Sequence, residues 1–168
     1  MGFFKRKNNT VIYEQLYNNI IEFSVNSASD ITDSLEYDII DDIDFENSML
    51  FCIVHNGIVV NNLLIQKYNS KYADFGKYFV STLCKQLKEK NEDYLIPVCE
   101  NMRNDIVNII SQTSQQDSYN NPIRSMAKLF CLYTTGSYIV GEIVLLEVTA
   151  GFAEQVKTLV NYINSIKL

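Results

Sequence analysis

Cys52 and His55 are the residues best suited to metal binding or catalysis in this sequence, because they are a thiol and the only imidazole, separated by two residues. A Cys-x-x-His spacing can provide two ligands of a zinc site, or a thiolate and imidazole pair for nucleophilic catalysis. On a β-strand, however, residues three apart point to opposite faces. No second Cys/His pair follows at a comparable spacing. We therefore predict neither a metal site nor a catalytic role for these two residues.

Two further motifs are incomplete. The segment that begins at Asp42 starts like the loop of a calcium-binding EF-hand, but Asn47 and Ile53 stand where that loop requires glycine and a bidentate glutamate. Ser125 and Lys128 match the Ser-x-x-Lys motif of serine acylases without its two accompanying motifs. No glycine-rich phosphate loop occurs. The sequence thus predicts no catalytic residue, no metal ligand and no cofactor, and it favours a protein that is not an enzyme.

The elements that would carry these residues are predicted from turn signals and hydrophobic patterns. The stretch from Ser48 to Gln66 contains two apolar, β-branched runs that meet at Asn56-Gly57, a dipeptide typical of tight hairpin turns. Residues 128–148 form a second apolar stretch around a turn signal at 134–137. We expect each stretch to form an antiparallel hairpin. Buried helices are the alternative, since Pro122 suits the first turn of a helix.

Amphipathic helices are predicted where apolar residues recur every three or four positions. The clearest helix begins near Ser70, and its apolar stripe consists of Tyr72, Phe75, Phe79, Leu83 and Leu87. Three more helices are predicted from Thr10 onward, over Glu100–Thr113 and over Ala150–Lys167, and residues 94–99 read as a short strand. The prediction is an α+β fold in which about four helices pack on one or two hairpins, with an all-α bundle as the alternative.

Charge is unevenly distributed along the chain. The net charge is −6, yet residues 8–66 contain ten carboxylates and neither Lys nor Arg. Eight of those carboxylates lie between Asp30 and Glu46, in a segment whose pattern fits either a helix or an extended edge strand. A folded protein with such a region repels nucleic acid and attracts basic partners.

The chain is predicted to consist of a short arm and one domain. Residues 1–9 are predicted to form a flexible basic arm, and residues 10–168 a single globular domain. Contact of the arm with an anionic membrane is a lesser alternative, carried by Phe3, Phe4, Lys5, Arg6 and Lys7. The four cysteines lie in apolar segments and no export signal is present, which predicts reduced thiols and a cytoplasmic location.

These observations favour a non-enzymatic interaction domain, such as an adaptor, an inhibitor or a chaperone, that docks a basic protein partner. Carboxylates would steer the partner, and aromatic side chains would supply affinity. The predicted binding residues are Tyr37, Asp38, Asp41, Asp42, Asp44, Phe45 and Glu46. The alternative is a small enzyme or ligand-binding domain whose site forms only in three dimensions.

Overall fold

Six α-helices make up the described part of the chain in the computed structural model, which covers residues 2–36, 43–113, 121–137 and 140–166. Two short 3₁₀ helices, Asn69–Tyr72 and Asp93–Leu95, are also present, and no strand occurs within these ranges. The helices are α1 (Gly2–Glu36), α2 (Phe45–Tyr68), α3 (Phe75–Glu89), α4 (Ile96–Thr113), α5 (Pro122–Thr135) and α6 (Glu142–Ser165).

The predicted α+β fold is wrong, and the all-α alternative describes the chain as a single helical domain. The stretch from Ser48 to Gln66, predicted as a hairpin, lies entirely inside α2. The predicted strand at 94–99 spans the end of the second 3₁₀ helix and the first turn of α4. Of the predicted hairpin at 128–148, the described residues contain the end of α5 and the beginning of α6, and residues 138 and 139 lie outside the described part.

Helix α2 is the central element, because it packs against all five other α-helices. Consecutive residues from Leu50 to Gly57 are all buried, so the helix has no continuous solvent-facing stripe. An 18-residue window of this helix has a mean hydropathy of 1.7, so by length and composition the helix could cross a membrane. In this bundle, however, 61% of that window is buried inside the protein. A helix that is apolar on all sides has lost the 3.6-residue period that identifies amphipathic helices. That loss explains why its β-branched residues suggested strands.

Gly57 permits close packing of α3 on α2 and does not form a turn. A Cβ atom at this position would lie 2.4 Å from Cε1 of Phe79. Gly76, at the start of α3, is also in close contact with α2, and its backbone N–H donates to Oδ1 of Asn61 at 3.0 Å. The Asn56-Gly57 dipeptide is therefore explained by the approach of two helices, where no side chain larger than hydrogen fits.

The helix ends follow local capping rules. Oδ1 of Asp44 accepts a hydrogen bond from the backbone N–H of Asn47 at 2.9 Å and caps α2. Asn121 caps α5, and Pro122 occupies its first turn, as the alternative prediction required. Gly136 ends α5 with a φ of 72°, so the turn signal at 134–137 marks a helix C-terminus.

The predictions of amphipathic helices had mixed outcomes. The stripe on α3 is confirmed for Phe75, Phe79, Leu83 and Leu87, which are all buried. The predicted start near Ser70 is wrong, because α3 begins at Phe75 and Tyr72 ends the preceding 3₁₀ helix. The predicted start at Thr10 is wrong, because α1 begins at Gly2 and continues to Glu36. The backbone of residues 2–9 is therefore helical. The side chains of residues 1–8 lie outside the described part, so the flexibility of this arm and its membrane contact stay predictions.

Candidate functional site

The predicted Cys52 and His55 pair lies in the core of the bundle. Both side chains are buried, and the imidazole packs edge-on against Phe152 with ring centroids 5.2 Å apart. Desolvation lowers the pKa of His55 to about 4 and raises the pKa of the Cys52 thiol to about 12. A protonated thiol and a neutral imidazole in a closed interior have packing roles. Their environment offers no access for a substrate.

A buried hydrogen-bonded chain joins α2 to α1 next to this pair. Nδ2 of Asn56 donates to Oγ of Ser24 at 2.9 Å, and Oγ of Ser24 donates to the carbonyl of Ile20 at 2.6 Å. Oδ1 of Asn56 faces Nδ1 of His55 at 3.1 Å. Buried polar groups that satisfy one another in this way fix the relative position of two helices. We therefore assign these hydrogen bonds a role in the stability of the fold.

Metal binding finds no support in the described ranges. Within residues 2–36, 43–113, 121–137 and 140–166, no three His, Cys, Asp or Glu side chains lie close enough together to hold a metal ion. Cys52 and His55 are both buried in the core, and Asp42, where the segment resembling an EF-hand loop begins, lies outside the described residues.

The predicted acidic surface is partly described. Asp44, Phe45 and Glu46 form the start of α2, and the Phe45 side chain is 47% exposed. The other predicted binding residues, Tyr37, Asp38, Asp41 and Asp42, lie outside the described residues. Asp44 has a second role, since its backbone N–H donates to the carbonyl of Thr134 at 2.8 Å and ties α2 to the end of α5.

Tertiary folding adds Tyr94 to this surface. The ring is 63% exposed, and its hydroxyl lies 3.5 Å from Oε2 of Glu46. The negative charge of Glu46, followed by desolvation and then by the charges of Glu92 and Asp44, raises the pKa of the Tyr94 phenol. Three carboxylates thus lie near the exposed Tyr94, and the exposed Phe45 stands between two of them in the chain. We call this set the acidic aromatic patch, and it consists of Asp44, Phe45, Glu46, Glu92 and Tyr94.

Tyr94 and Glu92 were missed from the sequence because they lie almost fifty residues from Glu46, in a segment predicted to lead into a strand. The only local signal is that Glu92, Asp93 and Tyr94 repeat the acidic and aromatic composition of Asp44, Phe45 and Glu46. Such composition alone does not show that two segments meet.

More carboxylates line a shallow groove of about 750 Å³ between α1 and α6. Asp30 and Asp33, which begin the acidic segment, face this groove from α1. Glu147 and Glu154 face it from α6, and Nζ of Lys157 lies 3.0 Å from Glu154. The acidic segment predicted from the sequence therefore contributes to two separate surfaces.

A different, mostly apolar groove lies between α3 and α4 and has a volume of about 660 Å³. Val54, Gly57 and Ile58 of α2 line it, so the central helix provides its floor. Its apolar walls include Val80 from α3 and Val107 from α4. We refer to this feature as the α3–α4 groove.

The charged residues of the α3–α4 groove are mainly basic, whereas the chain as a whole is acidic. Lys77 and Arg103 line it together with a single carboxylate, Glu100. Neither cation makes an ion pair within the described ranges, where all three ion pairs involve other residues. Cys84 also lines the groove and is only half-buried. The groove therefore combines an apolar body with two available cations.

Comparison with known proteins adds no relative to these observations. No protein-family model, no curated protein and no solved structure matches this chain.

Proposed function

We propose that this protein is a non-enzymatic interaction domain that docks a basic protein partner on the acidic aromatic patch. The observation that carries the proposal is the exposed Tyr94 beside the carboxylate of Glu46, which follows the exposed Phe45 in the chain. Large exposed aromatic side chains surrounded by charges of one sign have the composition of interface anchors.

The patch suits Lys and Arg side chains for two physical reasons. A guanidinium or ammonium group can lie over the face of Tyr94 or Phe45 while it contacts a neighbouring carboxylate. None of the three ion pairs in the described ranges uses a carboxylate of the patch, so these acids are not neutralised by a basic side chain there. Carboxylates without a basic partner increase the rate of association with a basic surface. The aromatic rings contribute to affinity through the apolar area that is buried on binding.

Residues 37–42 connect α1 to this patch and contain Tyr37, Asp38, Asp41 and Asp42. Their participation in binding stays a prediction from the sequence. The net charge of −6 and the absence of Lys and Arg from residues 8–66 further support a basic partner over an acidic one or a nucleic acid.

The test uses the full chain and a defined basic probe, an arginine- and leucine-containing peptide. We expect Glu46→Gln with Glu92→Gln to weaken binding by about tenfold, because two of the three carboxylates of the patch are neutralised. Tyr94→Ala should weaken it by a similar factor through loss of the ring. Fluorescence anisotropy at several salt concentrations measures both changes.

Glu14→Gln with Glu22→Gln provides the matched control, since both carboxylates are exposed on α1 and belong to neither acidic surface described above. This control removes the same charge as the test variant. Equal weakening by the two double variants would show attraction to net charge alone, and would contradict a specific patch. Binding that does not change with salt would contradict it as well.

A further inference from the structure

We infer that the α3–α4 groove binds a small single-chain amphiphile with an anionic head group, such as a fatty acid. The inference concerns a different surface from the acidic aromatic patch and stands independently of the proposed function. Its volume of about 660 Å³ lies within the range of roughly 300 to 1,000 Å³ that is typical of small-molecule sites.

The body of the groove suits a hydrocarbon chain. Its floor on α2 contains Gly57, where the missing side chain leaves the neighbouring Phe79 ring in contact with the helix backbone. Val80 on α3 and Val107 on α4 are 41% and 39% exposed, so apolar area on both walls faces solvent. An alkyl chain laid between the walls would remove this area from water, which is the main source of affinity for an apolar ligand.

The charges of the groove select an anionic head. Lys77 is the third residue of α3, where the positive end of the helix dipole adds to its own charge. The side chains of Asn61 and Asn62 line the same groove from α2. Asp74 precedes α3 but does not line the groove and makes no side-chain cap to the helix. A carboxylate or phosphate head placed here meets a cation and amide groups.

Arg103 supplies a second cation further along the groove, and Glu100 offsets one of the two positive charges. The groove is thus positive overall in a chain whose net charge is −6. This reversal of sign is the reason to favour an acidic amphiphile over a neutral or cationic one.

Binding is tested on the full-length protein after bound lipid has been removed with a hydrophobic resin. Decanoate, palmitate and dodecyl phosphate are titrated by calorimetry, and dodecylamine serves as the cationic comparison. We expect saturable one-to-one binding of the anionic probes and about tenfold weaker binding of the amine. Binding of the carboxylates alone or of the phosphate alone identifies the head group, and both results support the inference.

Cys84 gives an independent readout, because it lines the groove and is the only half-buried cysteine of the four. Its reaction with N-ethylmaleimide, followed by mass spectrometry, should slow several-fold when palmitate is bound. Cys52 and Cys131, which are buried and do not line the groove, act as internal references.

Two variants locate the ligand. Val80→Asp places a carboxylate on the exposed wall and should abolish palmitate binding, while Val11→Asp, at a 64% exposed position of α1, should not change it. Lys77→Glu should weaken palmitate binding by about tenfold, whereas Lys88→Glu on the same helix, outside the groove, should have little effect. Circular dichroism verifies that all four variants are folded.

Several results would overturn the inference. They are the absence of saturable binding, equal binding of dodecylamine, and palmitate binding that Val80→Asp does not reduce. A fourth is a wild-type dimer that Val80→Asp converts to a monomer without any amphiphile binding. That result would assign the groove to a second copy of the chain.

Discussion

The side-chain amide of Asn56 donates a hydrogen bond to the hydroxyl of Ser24, 2.9 Å away, where α2 packs against α1. Both side chains are fully buried. In the sequence Asn56 precedes Gly57 and suggests a turn, but in the folded chain it is a polar contact between the two helices. The stability of the bundle should therefore depend on this pair.

Ser24→Ala should lower the free energy of unfolding by about 1 to 3 kcal/mol, because the amide of Asn56 would stay buried without its acceptor. Urea denaturation followed by circular dichroism measures the change. Ser81→Ala, at an exposed position on α3, is the matched control and should change stability by less than about 0.5 kcal/mol. Equal effects of the two substitutions would argue against a stabilising role for the pair.

Gly57→Ala should destabilise the protein by about 1 to 3 kcal/mol, since the new methyl group would overlap the ring of Phe79. The added Phe79→Leu substitution removes the ring and should recover part of the loss in the double variant. Thermal or urea unfolding of the two single variants and the double variant gives the interaction free energy between positions 57 and 79. If the two effects were simply additive, the proposed contact between α2 and α3 would be incorrect.

The stability of the protein should fall as the pH decreases from neutral to about 4, and His55 should contribute to the loss. Its ordinary pKa near 6.5 is lowered to about 4 by burial, so between these values the unfolded state takes up a proton that the folded state does not. The folded state therefore loses about 3 kcal/mol relative to the unfolded state across this range, with no further loss from His55 below it.

Urea unfolding of wild type and of the His55→Leu variant across this pH range isolates that contribution, because the carboxylates titrate in both proteins. The variant should show a smaller decrease in stability between neutral pH and pH 4 than the wild type. Parallel pH profiles would mean that His55 is accessible to protons in the folded state, contrary to its burial beside Phe152.

Lys67 should stabilise the end of α6. Its ammonium group donates to the carbonyls of Ile163 at 2.6 Å and Asn164 at 3.2 Å, which have no partner within the helix. Lys67→Met should cost about 1 kcal/mol and increase amide hydrogen exchange in the last turn of α6. The loss stays modest because the hydroxyl of Tyr68 still donates to Ile166 at 3.0 Å.

Lys157→Met is the control for that experiment, since Lys157 is also exposed and lies on α6 but pairs with Glu154 near the middle of the helix. It should leave exchange at the helix end unchanged and alter stability by less than about 0.5 kcal/mol. Faster exchange in the control than in Lys67→Met would contradict the assigned contact.

Local patterns predicted the helix with the clearest apolar stripe, whereas α5, which also has a solvent-facing side, was predicted as part of a hairpin. The apolar stripe of α3 follows from its spacing, and Pro122 at the start of α5 follows from its fixed φ angle. Asp44, Phe45 and Glu46 are neighbours in the chain, so three of the five residues of the acidic aromatic patch could also be predicted without a structure.

Only the tertiary structure decided the state of α2 and the composition of the candidate sites. Helix α2 is surrounded by other helices, so its sequence has no polar side from which a period could be read. Gly57 is required by the ring of Phe79, and Tyr94 reaches Glu46 only because two distant segments fold together. Sequence patterns record the contrast between solvent and core, whereas contacts between distant residues depend on how the helices pack.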